Sequence, residues 1–436
     1  MIKKELLKEL IVSFQASLPK VLISRDVELS VDTEKVIALR GVRRSGKSSI
    51  LLLAMNKLLA SGVKREKILF INFDDERLQF DGSDFDLILQ SYRELYPEFT
   101  TDDLYLFFDE IQMNAGWEQF VRRVYDQQTR HIFITGSNSK MLSSEIATSL
   151  RGRTLQYEVL PLSFAEFCRF RSMEINVYKT SASAKLIASF FEFLHYGGFP
   201  EVVLMKYENN DRILQEYYFV MLYKDLVERY EIKNVAAIKY FIRRVLVNIT
   251  KPTSINKIYH ELKSLGVVVG KNTLYELIEY LEAIYLFMPL PKFEPSLVKQ
   301  ASSDKKYYCI DNGLCKALSQ SVQEDNGVLL ENQVYLWLRG QCDMSRKMYY
   351  YKGNKECDFV ITRGGTVEKL IQVSWDISEA ATLQREVAGL HEASARLGCN
   401  DLTLITDDRE EVIEKEGKII NVLPAWKVML TDPGST

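Results

Sequence analysis

Gly41-Val42-Arg43-Arg44-Ser45-Gly46-Lys47-Ser48 matches the pattern GxxxxGK[ST] at every specified position. The apolar run Val36-Ile37-Ala38-Leu39 precedes it and Ser49-Ile50-Leu51-Leu52-Leu53-Ala54-Met55 follows, so the stretch reads as a strand, a loop and the opening of a helix. Glycines at 41 and 46 allow left-handed dihedrals and close approach to an anion, both of which a Cβ would obstruct. Backbone N–H groups from Gly41 to Ser49 then converge on phosphate, and the positive end of the following helix adds to their field. Lys47 supplies a full charge toward the outer phosphates, and Ser48 offers its hydroxyl to magnesium. The competing reading is a glycine-bounded turn with an ordinary surface lysine.

Outward from the loop, strand and helix signals alternate. Apolar runs at Ile68–Phe73, Leu104–Phe108 and His131–Ile134 are separated by helical patterns near Phe85–Tyr92 and Gly116–Gln127. That alternation predicts a parallel sheet with helices on both faces, and the unbroken apolar strands predict burial on both sides. The third strand ends in Asp109-Glu110, which places two carboxylates at the crevice where such sheets bind ligands. Asp109 there would hold Mg2+ through water, and Glu110 would polarise the attacking water; the plain alternative is two solvated loop acids. The fourth strand ends in Thr135-Gly136-Ser137-Asn138, where Ser137 or Asn138, with Thr135 behind them, would bridge the γ-phosphate and the water. Arg151 and Arg153, in Leu150-Arg151-Gly152-Arg153, are candidate arginine fingers toward a neighbouring chain or their own, although arginine pairs on loops usually serve only as solvated charge.

These segments, GVRRSGKSS, LFFDE and ITGSNS with RGRTLQYEVLPLSFAEF and YGGFPEVV, resemble the prokaryotic AAA+ family of uncharacterised ATPases related to the origin-recognition and STAND branches. The resemblance spans nearly the whole chain. It implies a phosphate-loop strand inside the sheet and a helical lid after the fourth strand. It also implies Walker A roles for Lys47 and Ser48, Walker B roles for Asp109 and Glu110, and a sensor at Ser137 or Asn138. The doubled Arg43-Arg44 matches the family's habit, with phosphate contact and pinning of the loop as the two readings.

The chain's 436 residues exceed one ordinary core. The expected domains are a nucleotide-binding sheet over 1–160, a helical lid over 161–234, a winged helix-turn-helix over 235–325 and a nuclease-like α/β domain over 326–436. In the lid, the aromatic stripe including Phe164, Phe167, Phe190 and Phe193 reads as core, and Gly197-Gly198-Phe199-Pro200 as a turn or hinge. Helical runs at Ile238–Ile249, Ser254–Ser264 and Asn272–Ile284, then strand-like pieces around Tyr285–Leu290 and Lys306–Ile310, spell the winged helix. Lys271, Asn272 and Tyr275, with Lys292, Lys299, Lys305 and Lys306 on the wing, would meet DNA phosphates; Glu276 and Glu279 oppose a groove, and docking on the lid or a protein is the other reading.

The last hundred residues resemble the PD-(D/E)xK nuclease fold, with Glu331 on a helix and Asp358 on a strand. Where that chemistry needs a second acid and a lysine, Gln372 and Ser374 stand, so the resemblance implies a degenerate domain with at most a weak second metal site at Glu331 and Asp358. Six scattered cysteines with four histidines spell no zinc or disulfide framework. The formal charge of −3 supplies no global field for nucleic acid. The amino-terminal run mixes Lys and Glu with apolar residues at helical spacing, which predicts a soluble cytoplasmic protein with no membrane association. The expectation is an ATP- and Mg2+-dependent ATPase that repositions its winged-helix and nuclease-like regions, in monomer or oligomer. The alternatives are a switch that holds ATP or ADP and recruits double-stranded DNA or a protein partner, and an ATP-gated nuclease.

Overall fold

The computed structural model describes residues 2–80, 84–138, 150, 152–205, 209–319 and 325–430. They fall into two compact units, Met1–Leu160 and Pro161–Thr436. In the first, β1 (Val36–Arg40), β2 (Ile68–Asn72), β3 (Tyr105–Asp109), β4 (Ile132–Gly136) and β5 (Thr154–Glu158) form one parallel sheet in the order β2-β3-β4-β1-β5. Alternation along each strand feeds two cores. Val36, Ala38, Leu106, Phe108, Ile132 and Ile134 pack with α1 (Ile2–Ala16), α3 (Asp86–Leu95) and α4 (Trp117–Gln127). Ile37, Leu39, Phe107 and Phe133 pack with α2 (Lys47–Ala60) on the opposite face. Strand β5 is the one the sequence pattern passed over: Leu155 and Gln156 are exposed, as suits an edge strand, and its place is fixed by pairing Val36 with Thr154 through Arg40 with Glu158.

The second unit opens on α5 (Phe164–Phe170), whose Ser163 and Glu166 exchange side-chain and backbone hydrogen bonds in a capping box. Helices α6 (Thr180–Tyr196), α7 (Pro200–Leu204) and α8 (Asn210–Val220) follow, the last continuing as a π-helical stretch over Met221–Glu228. Phe164, Phe167, Phe190 and Phe193 form a buried cluster with ring centroids 5.0–6.2 Å apart. Next come α9 (Val235–Val247), β6 (Pro252–Thr253), α10 (Ile255–Ser264), α11 (Lys271–Ala283), β7 (Phe287–Leu290), α12 (Leu297–Ser302) and β8 (Lys305–Cys309). The three strands pair antiparallel in the order β6-β8-β7.

After α13 (Asn312–Leu318) and α14 (Asn326–Arg339), a six-stranded mixed sheet closes the unit. Its strands are β9 (Arg346–Lys352), β10 (Glu356–Arg363), β11 (Thr366–Val373), β12 (Leu402–Thr406), β13 (Glu411–Lys415) and β14 (Lys418–Pro424), ordered β13-β14-β12-β11-β10-β9. Helix α15 (Ala380–Leu397) buries Val387, Leu390 and Ala393 against Val360, Leu370, Leu402 and Ile420 of that sheet. Among the described residues, no helix is long and apolar enough to cross a membrane.

The turn Gly197-Gly198 between α6 and α7 is held by a buried acid. Asp311 accepts N–H groups from Gly198 at 2.6 Å and Leu314 at 2.9 Å. Burial pushes its carboxyl up to about 6, against the pull of those backbone donors. Because this folded value lies above the ordinary unfolded one of about 3.9, the group's stabilising contribution is complete below about pH 4 and is lost as pH rises through about 6. Asp311→Asn lacks that titration. The stability advantage of wild type over the variant, from denaturant unfolding, should therefore shrink by on the order of 2–3 kcal/mol between about pH 4 and about pH 8.

Candidate functional site

The sheet order places β3, β4 and β1 side by side, so their carboxyl ends present the loop after β1, the acid pair ending β3 and the polar run after β4 to one crevice. Within the loop, Arg44 and Gly46 take positive φ of 67° and 97°, turning successive N–H groups toward one side. Gly41 is needed for space: a Cβ there would lie 2.1 Å from the Val159 carbonyl oxygen. Arg25, which no sequence signal marked because it lies in the irregular stretch before β1, fastens the loop from outside. Its guanidinium donates to the Ser45 carbonyl at 2.7 Å and the Leu160 carbonyl at 3.0 Å.

Lys47 is almost wholly buried. Its Nζ donates to the carbonyls of Gly41 at 3.1 Å and Val42 at 3.0 Å and lies 3.4 Å from Glu110 Oε1. Ser48 Oγ donates to Asp109 Oδ2 at 2.6 Å. Thr135 Oγ1 donates to Asp109 Oδ1 at 2.5 Å and accepts the Glu110 N–H at 2.9 Å. Thr135 thus holds both acids, a structural role that the sequence reading, which looked in this run only for a bridge between γ-phosphate and water, assigned to no residue. Ser137 and Asn138 are buried beside it. Gln112 donates from Nε2 to Glu110 Oε2 at 2.6 Å.

The two carboxylates are set apart electrostatically. Burial pushes Asp109 above the usual carboxylate range, Glu110's charge adds to this, and the bonds from Ser48 and Thr135 with the charge of Lys47 only partly offset it. Burial acts on Glu110 in the same sense, but Lys47 and Arg43, with the bond from Gln112, outweigh it and bring Glu110 down to about 2. Asp109 is therefore an acid short of positive charge, with the Ser48 hydroxyl at its side. That donor set fits a hard divalent ion between them, and the loop with Lys47 fits the phosphates such an ion accompanies.

Other expected residues make different contacts. Arg43 is 3.4 Å from Asp74, which follows β2. Arg153 pairs with Asp126 at 3.1 Å and precedes β5, at the sheet end opposite the loop, roughly 16 Å away along five strand residues. Its own phosphate loop is out of its reach. Arg151 lies outside the described residues. Of the lysines expected on a wing, Lys306 is buried on Glu331, Glu356 and Asp358, at 3.0, 2.8 and 3.0 Å, because β8 feeds it into the carboxyl-terminal fold. Glu331 and Asp358 are thus brought together, with Lys306 between them. Lys292 pairs with Glu294 at 2.7 Å, while Lys271, Asn272, Tyr275, Glu276 and Glu279 are exposed along α11. Gln372 accepts the Asp358 N–H at 3.2 Å and donates to Glu386 at 2.7 Å.

Residues 33–168 match the family described as AAA domain, and residues 187–325 match a domain of unknown function. The chain is 36% identical to the uncharacterized protein MJ1544 of Methanocaldococcus jannaschii over 99% of its own length and 97% of that protein's. It is 29% identical to an uncharacterized protein of Haemophilus influenzae, covering 83% of this chain and 88% of that one. Among solved structures, the ORC1 protein of Aeropyrum pernix in complex with DNA is similar at 15% identity and a TM-score of 0.30, over 73% of this chain and 91% of that one.

Thr135→Val keeps the side chain's volume and removes its hydroxyl, leaving the buried Glu110 N–H and one Asp109 oxygen without that partner. Unfolding in denaturant should show a loss of about 1–3 kcal/mol, and Thr135→Ser should recover most of it.

Proposed function

The chain belongs to the prokaryotic AAA+ P-loop family of uncharacterised type, and from that premise we propose that it is a Mg2+-dependent ATPase whose nucleotide state is passed to its helical and carboxyl-terminal regions. The observation that carries this reading is the meeting of Lys47, Ser48, Asp109 and Glu110 within 2.6–3.4 Å contacts at the carboxyl end of the sheet. Gly41 to Ser49 would hold the phosphates. Ser48 and Asp109 would hold Mg2+, which would supply positive charge to the phosphates.

Glu110 is the group placed to orient and polarise water. Its low value depends on Lys47, and phosphates compete for the same ammonium. When substrate draws Lys47 toward it, the chief positive charge holding Glu110 down weakens, and the carboxylate becomes a better base with substrate in place. A slow switch is favoured by one further contact: the Gln112 amide donates to the other Glu110 oxygen and, by stabilising its charge, weakens the carboxylate as a base. The region from α9 to β8 is proposed as a winged helix that meets a partner, duplex DNA or protein, through the exposed start of α11. With Lys306 buried and Lys292 ion-paired, its phosphate contacts would be few and any DNA stimulation correspondingly shallow in its salt dependence.

Nucleotide binding and steady-state turnover on full-length protein test the reading. Lys47→Ala should weaken ATP binding by about 100-fold or more, since it removes the charge that faces the outer phosphates. Glu110→Gln should keep ATP and lose turnover by about 10²–10⁴-fold. Wild type that binds ATP tightly and never turns it over would select the switch; unaltered binding in Lys47→Ala would remove both readings.

A further inference from the structure

Arg25 bridges two backbone segments with different roles. Its Nη1 donates to the Ser45 carbonyl within the phosphate loop, and its Nη2 to the carbonyl of Leu160, the last residue of the first unit. A guanidinium is planar and rigid, so the two bonds together fix the spacing between those carbonyls. The same segments also meet directly. Strand β5 ends on the pairing of Glu158 with Arg40, and the Val159 N–H donates to the Arg40 carbonyl at 2.7 Å. The Val159 carbonyl oxygen then packs where a Cβ on Gly41 would stand.

The bond to Ser45 has a consequence for the inner side of the loop. A trans peptide unit is planar, and its C=O and N–H point in opposite directions. With the Ser45 carbonyl turned out to Arg25, the Gly46 N–H of the same unit is turned inward, where phosphate would accept it. Flipping that unit changes ψ of Ser45 and φ of Gly46, and glycine accepts either sign of φ. Gly46 stands at 97°, a value its own preference does not enforce. Arg25 supplies the restraint from outside.

We propose that Arg25 is a positioning residue that presets the Gly46 N–H for phosphate and ties the same peptide to Leu160, carrying changes in the loop to the point where the chain leaves the sheet. The inference rests on the nucleotide reading above and adds the route by which the loop's state leaves the first unit. Phosphate drawing on the Gly46 N–H turns the peptide plane, and the Ser45 carbonyl at its other end turns with it. Because the fork is rigid, the Leu160 carbonyl follows or loses its bond. Two residues on, the Leu162 N–H donates to the Gly198 carbonyl at 2.7 Å, in the turn between α6 and α7, so the displacement arrives at the helical region.

Hydrogen exchange on the full-length protein, with and without saturating ATP and Mg2+, tests this. In wild type, ATP should slow exchange both in a peptide covering 41–49 and in one covering 157–163. In Arg25→Ala, ATP affinity should fall about tenfold or more, while turnover at saturating ATP stays within about threefold of wild type. At saturating ATP this variant should keep the protection at 41–49 and lose it at 157–163, a separation that a merely structural arginine would not produce. Arg25→Lys keeps the charge but not the fork, and should likewise lose the response at 157–163. A folded Arg25→Ala that binds ATP as wild type does, or that still shows ATP-dependent slowing at 157–163, overturns the proposal. So does wild type that binds ATP with no change there. Should Arg25→Ala fail to fold, Arg25→Lys decides on the same two peptides. Wild type without ATP affinity would instead remove the nucleotide reading on which the proposal stands.

Discussion

A buried ammonium must be paired, and in the first unit that requirement falls on Lys47. With its side chain only 4% exposed, it is held by two loop carbonyls and one carboxylate. An unpaired charge at such a position would cost several kcal/mol, so the loop after β1 and the end of β3 are held to one geometry. The parallel order β3-β4-β1 delivers both ends to the same side, and β4 between them contributes Thr135 to hold Asp109 and the Glu110 backbone. Gly41 against Val159 and Arg25 against Ser45 then fix the loop from its outer side.

The parts legible in the sequence are those whose residue type is dictated locally. A loop that packs its backbone onto Val159 and turns left-handed before a helix has few alternatives to glycine at 41 and 46. Strands buried on both faces, such as Leu106-Phe107-Phe108, carry runs of apolar residues that are hard to misread. Asp109-Glu110 could be placed because a strand's last residues sit at the crevice by construction. Three helices of the second unit were similarly readable: α9, α10 and α11 lie within three residues of the expected ends at Ile238–Ile249, Ser254–Ser264 and Asn272–Ile284.

What escaped the sequence depends on pairing between distant segments. Strand β5 has the half-polar composition of many loops and becomes a strand because β1 offers it a free edge. Thr135 could not be ranked above Ser137 and Asn138 from spacing, since its role depends on which way its hydroxyl faces across to β3. Arg25 lies 20 residues from the carbonyl it clamps. Lys306 is the sharpest case. In sequence it stands in Lys305-Lys306, two basic residues on an expected wing, and nothing local says that one turns inward toward acids 25 and 52 residues later.

Lys47 and Lys306 are the same chemistry placed under two different constraints. Lys47 faces one carboxylate and two neutral carbonyls, partners that an incoming anion can replace at small cost, because phosphate returns more charge than it displaces. Lys306 faces three acids in a closed pocket, and no anion could approach without adding to an excess of negative charge. The first arrangement makes a lysine that can change partners, which is what binding and turnover of a triphosphate require. The second makes one that stays. The number of carboxylates around each ammonium, more than its burial, therefore separates the exchangeable site from the sealed one.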